Sequence, residues 1–291
     1  MCKEHRVPIS SYELEYSEPS RSKLAYVIAT PDVRSPMMPG ARGDFGDNLS
    51  FLKDLGYDAV EIAMRDPSAP EAASVPDTIE RIGIPVCMIG SAPSELQDRI
   101  VLCHRDEAVR QAGQTRLHSL IDASVRLGAM GVNIGRFRGT RLTGDLWEPS
   151  TKWMHDALQR GGDYAAKKGV KIYIEPYNRY ETNFINTVSQ GADYVRQMRH
   201  PGIALMIDTC WMNSEDASLP GAVFGSGSLI NYVHIADSNR CYPGAGHIHF
   251  GDFLRALRHI NYDGYLTVQI DQKPDFRLVA ERSIAFLRCI M

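Results

Sequence analysis

A closed (β/α)8 barrel is the fold class this sequence predicts, and three observations lead there. Eight short apolar runs, rich in Val, Ile and Tyr, recur along the 291 residues. Amphipathic stretches at helical spacing lie between them. No Gly-x-Gly-x-x-Gly turn follows the first run, where TPDVRSPMMPG stands instead, so the competing doubly wound open sheet lacks its usual phosphate signature. Eight such units over about 270 residues match the roughly 250 residues of a barrel built from right-handed crossovers.

Taken in order, residues 1–22 are polar without a sustained period and read as an N-terminal extension. Residues 23–291 then form one catalytic domain, because nothing resembles a linker or a tandem repeat. LAYVIAT (24–30) opens the strand series. NLSFLKDLG repeats apolar residues at helical spacing and stops at Gly56, a C-terminal signal. AVEIAM (59–64) and PVCMIG (85–90) are the next strands. From Asp106 to Met130 runs a long helix, with Val109, Leu117, Leu120, Ile121 and Val125 expected on one side. GVNIGRF (131–137) is the fourth strand. TKWMHDALQRGGDYAAKKG follows, its closing lysines suited to the negative end of a helix dipole. KIYIEPY (171–177), IALMIDT (203–209), NYVHIAD (231–237) and YLTVQID (265–271) complete the strands, with GDFLRALRHIN and FRLVAERSIAFLRCI as the last helices. Such continuous apolar strands suit a parallel sheet buried on both faces.

Composition narrows the function classes. With 44% hydrophobic and 23% charged residues, the chain has ample material for a core. Thirty-two basic and 35 acidic side chains leave a net charge of −3, which offers no generic grip on nucleic acid. No apolar run reaches the ~20 residues that span a bilayer, and the first residues lack a secretory h-region. The expectation is a cytoplasmic protein with no membrane partner. Its six scattered cysteines (Cys2, Cys87, Cys103, Cys210, Cys241, Cys289) read as reduced structural thiols.

Barrel chemistry gathers at the C-terminal ends of the strands. Those ends carry Glu61, Glu175, Asp208, His234 and Gln269. Glu175, Asp208 and His234 each interrupt an apolar run, where an ionisable group is costly unless paired or bound to an ion. Two carboxylates, an imidazole and an amide oxygen suit a divalent cation: Mn²⁺ foremost, with Mg²⁺ or Co²⁺ as alternatives. Ordinary capping or salt bridging at strand ends is the competing explanation.

Four longer blocks carry more information: VEIAMRDPS (60–68), IEPYNRYETNFINT (174–187), MIDTCWMNSED (206–216) and HIADSNRCYPGAGHIHF (234–250). Together they make the chain after about residue 23 similar to the xylose-isomerase-like sugar epimerase and isomerase superfamily. Its nearest likeness there is to 5-keto-L-gluconate epimerase, then to D-tagatose 3-epimerase and D-psicose 3-epimerase. The resemblance implies a TIM barrel with a divalent metal on Glu175, Asp208, His234 and position 269. Glu175 would also be a catalytic base, Glu61 a pocket-shaping carboxylate and Arg240 a substrate-binding arginine. It further implies a small carbohydrate substrate and a homo-oligomer.

The sequence departs from that pattern where mechanism is decided. Family epimerases place a second glutamate where this chain has Gln269, and an amide is no general base near neutral pH. Glu175 and Asp208 supply two negative charges and so only balance a divalent ion, leaving a neutral site that favours an anionic ligand. Trp211 replaces a family histidine, and either stacks on substrate or packs in the wall; His249 replaces an acidic residue. His247 and His249 are candidate proton carriers. Arg136 and Arg138 could meet an anionic group, with rim salt bridges as the competing role. Arg179 and Glu181 are expected to pair with each other.

The leading expectation is a metal-dependent isomerase or epimerase that removes a proton beside the carbonyl of a keto sugar or keto-sugar acid, with Glu175 as the main base. Two alternatives stay open. One is a lyase such as a C-glycoside deglycosidase acting on 3-oxo-glycosides with a small partner subunit. The other is a non-catalytic sugar-binding relative.

Overall fold

The computed structural model describes residues 22–291. Apart from Ser22, the N-terminal extension expected over residues 1–22 lies outside the described residues. Eight parallel strands close on themselves: β1 (Lys23–Ala29), β2 (Ala59–Ala63), β3 (Val86–Gly90), β4 (Gly131–Ile134), β5 (Lys171–Ile174), β6 (Ile203–Asp208), β7 (Ile230–Ile235) and β8 (Tyr265–Val268). The circle is sealed by β1 pairing with β8, Ala25 opposite Thr267. All eight expected strands form within a few residues of their apolar runs. Helices connect successive strands, as a parallel sheet requires.

The alternation along β1 shows how the layers arise. Leu24, Tyr26 and Ile28 turn outward into the large core between barrel and helices. Ala25 points inward, with Met88, Tyr173, Met206 and Tyr232. Val27 and Ala29 meet Val33 and Met38 of the following loop. A period of two thus serves two cores at once.

Helix ends carry their signals. Asp44 accepts from the Asp47 amide at the start of Phe45–Leu55, and Gly56 ends that helix at φ 87°. Thr187 and Gln190 form a capping box ahead of Val188–Met198. One expectation needs correcting in the helix Glu107–Arg126. Leu117, Leu120 and Ile121 are buried, but Val125 is exposed and Ser124 takes the inner position. At about 100° per residue Val125 sits about 80° around from Leu117, past the edge of the buried stripe. Among the described residues no helix is long and apolar enough to cross a membrane.

Candidate metal and substrate site

Each residue that matters here sits where a strand runs out into its loop. Glu175 directly follows β5, Asp208 ends β6, His234 is one residue from the end of β7, and Gln269 directly follows β8. Parallel pairing sets Asp208 beside His234 in register. All four side chains are at most 4% exposed.

Glu175, Asp208 and His234 each bring a ligating atom within 4.8 Å of the other two. His234 Nδ1 stands 3.5 Å from Glu175 Oε1 and 3.8 Å from Asp208 Oδ2. His234 Nδ1 and Glu175 Oε1 are both buried without a hydrogen-bond partner among the described residues. Two buried polar atoms that face each other beside a second carboxylate fit a small cation, since such atoms otherwise find partners. Oxygen and imidazole donors suit Mn²⁺ or Mg²⁺ chemistry.

The electrostatics agree. Burial pulls the His234 imidazole down, but the carboxylates of Glu61 and Glu175 outweigh it and hold it up at about 10. Without an ion the ring itself therefore carries the positive charge this acidic pocket demands. Burial raises Glu175, while His234 and Arg240 draw it back only in part.

Asp208 is used on both sides. Its Oδ1 accepts from the Cys210 and Trp211 amides at the N-terminus of Thr209–Glu215, while its Oδ2 accepts from Arg240 Nη1 at 2.7 Å. Arg240 Nη1 also lies 3.5 Å from Gln269 Oε1. The guanidinium lies flat on Trp211, 3.9 Å from the ring centroid, and Tyr177 leans on the same indole at 4.5 Å. Arg240 adopts φ 60° in the turn after β7. Asp237 holds that turn by accepting from the Ser238, Gly244 and Ile248 amides. Strain at a single non-glycine residue is tolerated when its surroundings over-determine it.

Space around the carboxylates is also provided. A Cβ at Gly135 would stand 2.5 Å from Glu175 Oε2, and one at Gly90 would stand 2.9 Å from Glu61 Oε1. Neither position could carry a side chain without moving a carboxylate.

Above these groups opens a cavity of about 350 Å³, lined by Trp211, Arg240, Gln269 and Tyr177 on one side. Met37, Pro39, Ala92 and Leu96 line the other. A larger cleft of about 490 Å³ lies on the outer face, between Glu107–Arg126 and Trp147–Lys167, and holds none of the strand-end residues. The chemistry argues for the smaller one. Sequence reading missed the apolar wall; its signal was SPMMPG (35–40), a loop with two methionines, one of which, Met37, is 67% exposed.

Several expected residues stand elsewhere. Glu61, expected at the substrate, is fully buried beneath His234, its oxygens taken by Asn133, Tyr232 and His234. His247 and His249 are exposed and not part of the cavity lining; His247 bonds Ser238 Oγ, and His249 precedes the helix Phe250–His259. Between them the Ile248 amide donates to Asp237 at 3.1 Å.

The arginines also differ from expectation. Arg179 pairs with Glu215, not Glu181, through a two-pronged contact. Glu181 pairs with Arg136, which also donates to Glu95 at 2.8 Å. Arg138 makes no rim salt bridge. It is fully buried and donates to five backbone carbonyls, those of Ile134, Gly135, Glu175, Phe184 and Ile185. Burial pulls it down to about 10, so it stays charged at neutral pH.

Comparison with known proteins now adds to this geometry. The family described as xylose isomerase-like TIM barrel matches residues 49–289. An L-ribulose 3-epimerase of Methylomonas sp. (strain DH-1) is 32% identical over 218 residues, 74% of this chain and 74% of that one. A 3-dehydro-D-guloside 4-epimerase of Escherichia coli (strain K12) is 27% identical over 251 residues, 83% of this chain and 93% of its own length. The crystal structure of a D-allulose 3-epimerase from Methylomonas sp. superposes with a TM-score of 0.76 at 25% identity, covering 94% of this chain and 99% of that one.

Proposed function

Because this chain belongs to the xylose isomerase-like TIM barrel family, we propose that it is a divalent-metal-dependent enzyme that moves a proton at the carbon beside the carbonyl of a keto sugar. The observation that carries this reading is the pair of orphaned atoms, Glu175 Oε1 and His234 Nδ1, set with Asp208, which is bonded to the cavity-lining Arg240. The relatives named above, epimerases of ketoses and of a keto-glycoside, support the same reaction class.

Glu175, Asp208 and His234 would hold the cation, with Gln269 Oε1 as an added neutral ligand. A cation bound there polarises the substrate carbonyl and so acidifies the neighbouring C–H. Glu175 takes that proton; its burial favours the neutral form and so suits a base that must be protonated mid-reaction. Arg240, already tied to Asp208, offers Nη2, which is buried without a partner, to a substrate oxygen. Trp211 and Tyr177 form a flat wall against one face of the sugar.

With an amide at 269, one base serves the site. Proton return to the face it left, or loss of a group from the neighbouring carbon, is then easier than inversion. The apolar wall of Met37, Pro39, Ala92 and Leu96 favours a second reading within this scheme, a 3-oxo-glycoside whose aglycone lies on that wall and leaves by elimination.

Incubation of the Mn²⁺-loaded protein in deuterated water with ketohexoses, keto-aldonates and 3-oxo-glycosides tests both readings. Deuterium should enter beside the carbonyl. Release of an aglycone would select elimination, and neither exchange nor release in any of the three classes would sink the proposal. Gln269→Glu should raise the share of inverted product; an unchanged share would count against the one-base account.

A further inference from the structure

Glu61 does not reach the cavity, yet it is fully buried and each of its donors is itself directed. Tyr232 donates to Oε2 at 2.9 Å, a stronger acceptor than Cys87 Sγ at 3.3 Å, while its oxygen accepts from the Thr267 hydroxyl at 2.7 Å. Asn133 donates to Oε1 at 2.9 Å, while its own Oδ1 accepts the Ser91 amide, which fixes the side-chain flip. Gly90 leaves the room this requires. The third partner is His234 Nε2, at 2.7 Å from Oε2.

We infer that Glu61 is a positioning residue for the metal site: it fixes the proton of His234 on Nε2, leaves Nδ1 free to ligate, and supplies from beneath the negative charge that Gln269 does not. The inference rests on the metal reading above. An ionised carboxylate can only accept, so the nitrogen beside it must carry the hydrogen. In a neutral imidazole the lone pair is then on Nδ1, the atom that faces Glu175 and Asp208. A carboxylate behind a metal-binding histidine also makes the ring a stronger donor. Glu175 and Asp208 merely balance a divalent ion. Glu61 adds the third negative charge, one imidazole away.

Titration of metal-free protein with Co²⁺ or Mn²⁺, followed by calorimetry and by the visible spectrum of the cobalt form, tests this. Glu61→Gln keeps the shape but removes the charge, and its single amide oxygen cannot accept on both sides as the two carboxylate oxygens do. It should weaken metal binding roughly 10–100-fold and alter the cobalt spectrum, as expected for loss of a partner behind a ligand. Its metal-free melting temperature should fall, since a buried charge pair loses one member, so both proteins are titrated at a temperature where each is folded. Tyr232→Phe, which removes one directed donor, should weaken binding by a smaller factor, about threefold by the same logic.

A parent chain that binds neither ion would remove the metal reading and this inference together. A parent that binds while Glu61→Gln binds as tightly would overturn the inference alone. If Glu61→Gln does not fold, unchanged affinity in Tyr232→Phe overturns it instead.

Discussion

The two halves of the barrel contribute different things to one cavity. Strands β5–β8 end in Glu175, Asp208, His234 and Gln269, and the turn after β7 adds Arg240. Strands β1–β4 and their loops contribute an apolar wall of Met37, Pro39, Ala92 and Leu96, together with the bare space at Gly90 and Gly135. The second half carries charge, and the first carries shape. Glu61 crosses the divide: it belongs to β2 but acts through His234 of β7. A site divided this way can change what it accepts without changing what it does, because wall residues can vary while the acidic cluster stays fixed.

The hardest blow to this division is removal of the base. Glu175→Gln should lower deuterium exchange by about 10²–10⁴-fold, the usual worth of a positioned proton acceptor. A loss under tenfold would mean that another group takes the proton.

Next comes a lesion from the other half that acts by bulk alone. Gly135→Ala places a methyl group where Glu175 Oε2 now lies, and should cost up to about 100-fold in kcat, as misplacement by about 1 Å can. Full activity in this variant would show that the first half need not supply that space.

A milder change is expected from the wall. Leu96→Ala should alter the ratio of kcat/KM between two competing substrates by roughly threefold to tenfold, in line with discrimination by apolar groups. It should leave metal affinity unchanged, and a shift in metal affinity would blur the division between halves.

The smallest effect lies outside both. Burial raises Asp216 to about 6 although the Val188 amide donates to it. Between the ordinary value of 3.8 and about 6 the native state holds more protons than the unfolded chain. This residue therefore favours folding at low pH and loses that contribution as pH rises through the window. Asp216→Asn should gain about 1 kcal/mol at pH 7.5, after allowance for solvent screening at a partly exposed group, and less at pH 4.5. Thermal melts at both pH values check this; an equal gain at both would refute the assignment.

What sequence made legible follows from range. The strands were readable because each is a local run of apolar, often β-branched residues. The acidic cluster was readable because Glu175, Asp208 and His234 break such runs at their ends. Partnerships were not readable, since they depend on three-dimensional neighbours. Arg179 meets Glu215 across 36 residues, while the nearby Glu181 goes to Arg136. Arg116 joins Asp66, on a loop, and Asp98, at the end of the helix Ala92–Asp98. The role of Glu61 depends on Tyr232, 171 residues away. His247 and His249 fall outside the cavity lining, and local spacing in a loop carries no information on where the loop goes.

Arg138 has a consequence for binding entropy. Its six hydrogen bonds tie the carbonyl of Glu175 to the end of β4 and to residues 184–185. No lysine could repeat this, since an ammonium has three donors on one point and a guanidinium five in a plane. The backbone that carries Glu175, the proposed base, is thus ordered when the chain folds, before any sugar arrives. A substrate entering this cavity need not spend affinity on organising the group that will attack it.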